Sequence, residues 1–208
     1  MPPSPAPARQ PLSRSSITET AKELFSQRGY ANTTIEDIAD RLGVRKGAVY
    51  YHVPRKSDLL IQVVTDLLRP IAQHAERISL EDASPRERLA AAVRSHVGQL
   101  VANQAAARIF FEQYRDLPAE DGAGLGELSA RIEAAFDRIL AAGISSGDFR
   151  PTPVQLLRMH VLALCNWPYR WFDPGGPYAR SEIQESVWEH VDALVTNNSV
   201  RGALQEEE

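Results

Sequence analysis

Between residues 34 and 56 the chain reads TIEDIADRLGVRKGAVYYHVPRK, and from Arg45 to Lys56 it holds four Lys or Arg, one His and two Tyr. No acidic residue interrupts this run before Asp58. Such a set suits a nucleic acid: guanidinium and ammonium groups neutralise backbone phosphates, and Tyr and His donors reach phosphate oxygens or base edges. Arg45 and Lys46 fall at the start of an expected helix, where the macrodipole disfavours a cation by roughly 0.3 kcal/mol or more. A bound polyanion would offset that cost. Small Gly47 and Ala48 would let the helix backbone approach a groove closely.

Two short helices must position these groups. Thr34 can accept from the first free amides of a helix, and Glu36 and Asp37 suit its positive end. Ile35, Ile38, Ala39 and Leu42 follow the spacing of one apolar face, and Gly43 can take the positive φ that ends a helix. Val44 is placed to anchor the turn. Arg45 to Tyr51 then makes a second helix of about two turns, stopped by Pro54. A basic cluster alone is more often a solvated helix end. Here the cluster coincides with two helices and a glycine turn, which is the form of a DNA reader.

The run from Ile17 to Leu60 resembles the N-terminal domain of TetR-type (tetracycline-repressor-like) transcription regulators, through AKELFSQRGYANTTIEDIADRLGV, KGAVYYH and PRKSDLL. The chain departs from that pattern at Val53, where the family usually has Phe, which would loosen packing beneath the second helix. The resemblance implies that Thr34, Lys46, Tyr50, Tyr51, His52 and Lys56 fall on DNA-contacting positions, Thr34 and Lys56 mostly through phosphate. With Arg45 and Gly47 these form the expected DNA-binding set.

Charge supports the placement. The net charge is −4, but residues 1–60 carry nine Lys or Arg against six Asp or Glu, and the remainder fourteen against twenty-one. The first part is therefore +3 and the rest −7. An acidic body repels a duplex from every face but one. The single cysteine, Cys165, excludes an internal disulfide and fits a reducing compartment. No run approaches the ~18 apolar residues of a membrane span, and no signal peptide is visible. A cytoplasmic protein is expected.

Length and hydrophobic content allow a substantial core in one or two domains. Residues 1–12 are proline-rich and read as a disordered tail whose Arg9 could reach a minor groove, 13–56 as the DNA-binding domain, 57–200 as a sensing and dimerisation domain, and 201–208 as an acidic tail. Past residue 57 every strong signal is helical. Leu60, Val64, Leu67, Leu68, Ile71, Ala75 and Ile78 form a long stripe with Pro70 predicting a kink. Ser84-Pro85-Arg86-Glu87 is a capping box, and Thr152-Pro153-Val154-Gln155 repeats it. Further helices are expected over Asn103–Asp116, over Glu127–Ala142 closed by Gly143, over Pro153–Trp171 and over Ser181–Asn197. The expected fold is all-α: a three-helix helix-turn-helix domain plus a larger helical bundle, about nine helices in all.

A body of this size exceeds what a DNA-reading motif needs. A two-fold dimer would double the base contacts, and Leu156, Met159, Leu164, Trp188, Val191 and Val195 on the last two long helices are candidates for its interface, where the family resemblance also places a four-helix contact. The other job is sensing. His96, Leu100, Phe110, Phe111, Tyr114, Met159, Leu162 and Trp167 could line a cavity between helices. Aromatic residues at helical spacing are more often plain core, and a lone His more often a hydrogen-bonded core residue. The segment NWPYRWFDPGGPY from Asn166 to Tyr178 resembles repressors of fatty-acid and steroid catabolism, several of which respond to acyl-coenzyme A thioesters. Such an effector would need cations for its phosphates, for which Arg108, Arg115, Arg158 and Arg170 are available. The long helix from Ser57 to Leu80 is the evident lever between pocket and reader.

Enzyme readings find little support. The run Gly122-Ala123-Gly124-Leu125-Gly126 lacks the third glycine of a dinucleotide loop and reads as a flexible loop. The histidines lack metal-ligand spacing, and no cofactor or metal is expected. The expected function is a ligand-responsive repressor binding a palindromic operator as a homodimer, released by a small hydrophobic or acyl-CoA-type effector. The rival is a helical interaction or non-specific DNA-binding protein without an effector.

Overall fold

The computed structural model describes residues 12–113 and 119–196. Its helices are α1 (Arg14–Arg28), α2 (Ile35–Leu42), α3 (Lys46–His52), α4 (Lys56–Ser79), α5 (Pro85–Ala102), α6 (Gln104–Gln113), α7 (Ala119–Ser146), α8 (Val154–Asn166), α9 (Pro168–Trp171) and α10 (Arg180–Val195). Among the described residues there is no strand, only an isolated bridge between Phe149 and Thr196. The all-α expectation holds.

The centre of the molecule is α4. Its stripe Leu60, Val64, Leu67, Leu68, Ile71, Ala75 and Ile78 is buried, joined by Leu59, Val63 and Ala72, and the helix packs on α1, α5, α6 and α7 at once. Apolar side chains around so much of its circumference mark a helix surrounded by others. It runs through Pro70 without interruption. One hydrophobic cluster extends from Ile17 in α1 to Val195 in α10, so the reader and the body share a core. Bidentate pairs tie the outer helices on: Arg86 in α5 holds Asp192 in α10, with both N–O distances 2.7 Å, and Arg131 in α7 holds Glu76 in α4 likewise. The Ser84 capping box forms as expected, and the hydrogen bonds from Ser84 hold the Glu87 carboxyl below its usual range.

Several boundaries differ from expectation. The glycine run at 122–126 is not a loop but the first turns of α7, because Leu125 and Leu128 are buried there and packing overrides the poor helix propensity of glycine. Gly143 does not close that helix; α7 continues to Ser146 and ends at Gly147, whose φ is +84°. Gly143 instead makes room for Phe149: a Cβ at 143 would stand 2.1 Å from a carbon of that ring. Thr152 does not cap α8, since Pro153 holds that position without a side-chain bond. Pro168 breaks the expected Pro153–Trp171 helix and begins the single turn of α9. Leu12, read as part of the tail, is half-buried against the core. The rest of that tail, Asp116, Asn197 and the 201–208 tail lie outside the described residues.

Substituting Gly143→Ala should destabilise the protein by about 1–3 kcal/mol through overpacking against Phe149, although alanine favours a helix by ~1 kcal/mol. Urea unfolding at fixed protein concentration measures this; a stabilised variant would show that the ring does not need the space.

Candidate nucleic-acid interface and effector cavity

The reader is assembled from local rules. Thr34 Oγ1 accepts from the Asp37 amide at 3.1 Å, and Asp37 Oδ2 accepts from the Thr34 amide at 2.7 Å. The hydrogen bonds from Thr34 hold the Asp37 carboxyl below its usual value. Gly43 closes α2 in the left-handed region with φ 68° and ψ 34°. The amides of Gly43 and Val44 then bond to Asp40 and Ala39, turning the chain. Beneath α3, Val49 and Val53 are wholly buried, so Val53 fills the position under the helix.

The outer face of α3 carries the expected set. Arg45, Lys46, Gly47, Tyr50 and Tyr51 are exposed and His52 is half-buried. Tyr51 is 85% exposed, its ring meeting only the His52 edge at 5.3 Å among the described aromatic contacts. Lys46 pairs with Glu36 at 3.5 Å across solvent, a bond weak enough for a phosphate to replace. A Cβ added at Gly47 would meet nothing within 4 Å, so internal packing does not require glycine there. What its absent side chain clears is the outside of the helix.

Lys56 also has an internal task. Its ammonium donates to the carbonyls of Tyr30 at 2.8 Å and Thr33 at 2.9 Å and sits 4.1 Å from the Tyr30 ring centroid. Burial lowers its pKa. It binds the loop between α1 and α2 to the start of α4, a structural task that takes two of its three donors. Gln113, at the end of α6, grips the same loop and the last turn of α1: its Oε1 accepts from the Tyr30 amide at 2.8 Å, and its Nε2 donates to the Phe25 carbonyl at 3.2 Å. Sequence gave no sign of Gln113, whose partners lie 83 and 88 positions away.

In the body, α4, α5, α6, α7 and α8 line a partly open cavity of about 240 Å³. His96, Leu100, Phe110, Phe111 and Leu162 line it as expected. Leu68 and Ile71 of α4, Ser129, Ile132 and Glu133 of α7, and Asn166 complete it. The apolar stripes of α4 and α7 were visible, but not which of their residues border empty space. Met159 and Trp167 do not line the cavity: they are 62% and 60% exposed. Arg170 is also turned away, bonded to Glu112 at 2.8 Å. Tyr114 and Arg115 lie outside the described residues. His96 Nε2 is 2.8 Å from Asn166 Oδ1, and burial lowers the pKa of the ring. Cys165 is buried, and its thiol pKa is raised by that burial, which makes it inert.

A second, open and apolar groove of about 590 Å³ runs along α8, α9 and α10, past Leu164, Trp167, Trp171, Val187 and Leu194. Leu156, Met159 and Leu164 are exposed on α8. Trp188, Val191 and Val195 are not available to a partner, because all three are buried inside the subunit, with Trp188 under the guanidinium groups of Arg86 and Arg94. The expected interface on α10 was Trp188, Val191 and Val195, whereas Ser186, Val187, His190 and Leu194 border the groove.

Residues 17–63 match the model of bacterial regulatory proteins of the tetR family, and residues 82–195 match that of the tetracyclin repressor-like C-terminal domain. The chain belongs to the TetR family. A TetR-family chain is a DNA-binding transcriptional regulator rather than an enzyme. The chain is 27% identical to the HTH-type transcriptional repressor KstR2 of Rhodococcus jostii, over 78% of this chain and 81% of the relative. In fold it is similar to the ketosteroid transcriptional regulator KstR2 of Mycobacterium tuberculosis, with TM-score 0.82 and 24% identity over 91% of this chain and 98% of the other. It is also similar to AibR solved with isovaleryl coenzyme A and operator DNA, with TM-score 0.76 and 23% identity over 85% and 96% of the two chains. Among the described residues no helix of this TetR-family chain is long and apolar enough to cross a membrane.

Replacing Gly47 or Tyr51 separates reading from folding. Tyr51→Ala should change stability by less than ~0.5 kcal/mol and weaken operator binding about tenfold or more. Gly47→Ala should hold or raise stability and also weaken binding. Lys56→Met should lower the urea midpoint. Fluorescence anisotropy beside urea unfolding reads all three; unchanged DNA affinity in the first two would remove α3 from the interface.

Proposed function

We propose that the protein is a dimeric transcriptional repressor of the cytoplasm that reads a palindromic operator through α3 and is released when a small, mainly apolar effector enters the 240 Å³ cavity. The observation that carries this is the double role of α6. Phe110 and Phe111 wall the cavity, and Gln113, one turn on, holds the loop that leads into the DNA-reading pair. A molecule that displaces the two rings therefore pulls on the Phe25 carbonyl and the Tyr30 amide. Through Leu68 and Ile71 the cavity also touches α4, whose first residue, Lys56, anchors the same loop. The effector must bind the released arrangement more tightly than the DNA-bound one, by about 1.4 kcal/mol for each tenfold loss of operator affinity.

The groove on α8 and α10 supports the dimer. An apolar face containing Leu156, Met159, Leu164, Trp167 and Trp171 is costly in water and suits a two-fold contact with its copy. Such a dimer would hold two copies of α3 about 34 Å apart, one turn of DNA. In this reading residues 13–56 read the operator and 57–200 sense and dimerise, with α4 shared.

An acyl-CoA effector is a second reading, favoured by the isovaleryl coenzyme A bound to AibR. Two of the four arginines expected to hold its phosphates are engaged: Arg158 with Glu133 and Asp137, and Arg170 with Glu112. The cavity would take the acyl group, with the nucleotide outside.

Selecting operators from random DNA tests the main reading. The account expects a two-fold palindrome and a preference of at least ~10³ over random duplex. Equal affinity for both would favour a non-specific DNA-binding protein.

A further inference from the structure

Phe111, Glu112 and Gln113 are consecutive in the last turn of α6 and reach three different places. Phe111 lines the cavity, Glu112 accepts from Arg170 of α9 at 2.8 Å, and Gln113 holds the Tyr30 amide and the Phe25 carbonyl. α9 is a single turn, too short to keep its place by itself, so its neighbours set its position. α6 grips it at both ends. The buried Tyr169 ring lies stacked on the Phe111 ring, with centroids 4.8 Å apart and planes 16° from parallel. Gln104, the first residue of α6, donates through Nε2 to the carbonyls of Tyr169 at 3.1 Å and Phe172 at 2.6 Å. Arg170 carries the contact further, its guanidinium 5.9 Å from the Trp167 ring centroid. The other side of α9 belongs to the apolar groove, which Trp167, Pro168 and Trp171 line, with both indoles exposed. Where α8 meets α9 the change of side takes one residue: Asn166 lines the cavity and Trp167 the groove.

We propose that α9 links the effector cavity to the dimer contact. A molecule that displaces Phe111 breaks its stack with Tyr169, shifts α9 and spoils the face formed by Trp167 and Trp171, so that effector binding weakens the dimer. The proposal rests on the readings of the cavity as the effector site and of the groove as the contact with a second copy. It adds a second route out of the cavity, beside the one through Gln113. The coupling is reciprocal: dimerisation disfavours the effector by the factor by which the effector disfavours the dimer. A stacked aromatic pair contributes enough to set that factor at about two- to tenfold for each bound molecule. The consequence for DNA is direct, since a monomer reads only half of a palindrome.

Sedimentation equilibrium on the full chain tests the link with substitutions in place of an effector. Ile132→Phe fills the cavity from α7, and Ser129→Leu fills it more mildly. Either should raise the dimer dissociation constant about two- to tenfold, and the rise should vanish in Tyr169→Leu, which keeps an apolar side chain but leaves no ring to stack. Because overpacking can unfold a chain, hydrogen exchange with the cavity unfilled gives a second reading. Leu164→Glu, at an exposed position in the groove, splits the dimer, and α6, which does not border the groove, should then exchange faster than in the wild-type dimer. Unchanged dissociation constants in folded filled variants, a rise that persists without Tyr169, or α6 exchange identical in dimer and monomer would overturn the link. Operator affinity is measured alongside, at protein concentrations above the dimer dissociation constant. If the fillings weaken operator binding and leave dimerisation untouched, only the link through α9 falls. If they change neither, the effector reading falls with it, and a wild-type chain that is monomeric at every concentration removes the dimer reading together with the link.

Discussion

Everything in this chain passes through the loop between α1 and α2. A turn of this kind leaves backbone groups that must find partners, and here those partners come from the body. Lys56 of α4 takes the carbonyls of Tyr30 and Thr33, and Gln113 of α6 takes the Tyr30 amide and the Phe25 carbonyl. The loop thus makes hydrogen bonds to the first turn of α4 and the last of α6. In the proposed coupling, a change in the body that shifts those two ends would reach α2 and α3, because the core from Ile17 to Val195 is continuous and close packing transmits displacement.

This joint also explains how an acidic protein manages DNA. The cations of residues 45–56 are not all free for phosphate, since Lys56 is engaged internally and Arg55 is bonded to Asp58. The outward face is left to Arg45, Lys46, Tyr50 and Tyr51. It is a small surface, and a small surface gains from being presented twice. The apolar strip on α8 and α10 lies on a part of the body distinct from the joint, so the proposed dimerisation and signal transmission would use separate surfaces.

Local features were legible in the sequence. The Thr34–Asp37 and Ser84–Glu87 caps, the left-handed Gly43 and the buried stripe of α4 depend on residues within a turn or two of one another. The errors came where a distant partner decides. Gly143 looked like a helix end because its reason is Phe149, which only the fold brings near. Trp188 looked like an interface residue because nothing in α10 alone reveals the guanidinium groups of Arg86 and Arg94 above it. The internal bonds of Lys56 were equally illegible, since a lysine beside a basic helix is the same letter whether or not it also binds a carbonyl. His96 and Leu100 were correctly brought to one cavity with Phe110 and Phe111, but Met159, one turn before Leu162 on α8, and Trp167, just past its end, are exposed instead. Apolar periodicity does not tell an inward face from an unpartnered outward one.

The central claim, that the cavity and the reader are coupled through Gln113, is tested most directly by a double-mutant cycle on operator affinity. Ile132→Phe fills the cavity from α7 and stands in for an effector; Gln113→Ala cuts the grip on the loop. The account predicts that Ile132→Phe alone weakens operator binding and that most of this loss vanishes when Gln113 is already alanine. Strictly additive effects of the two substitutions would contradict it.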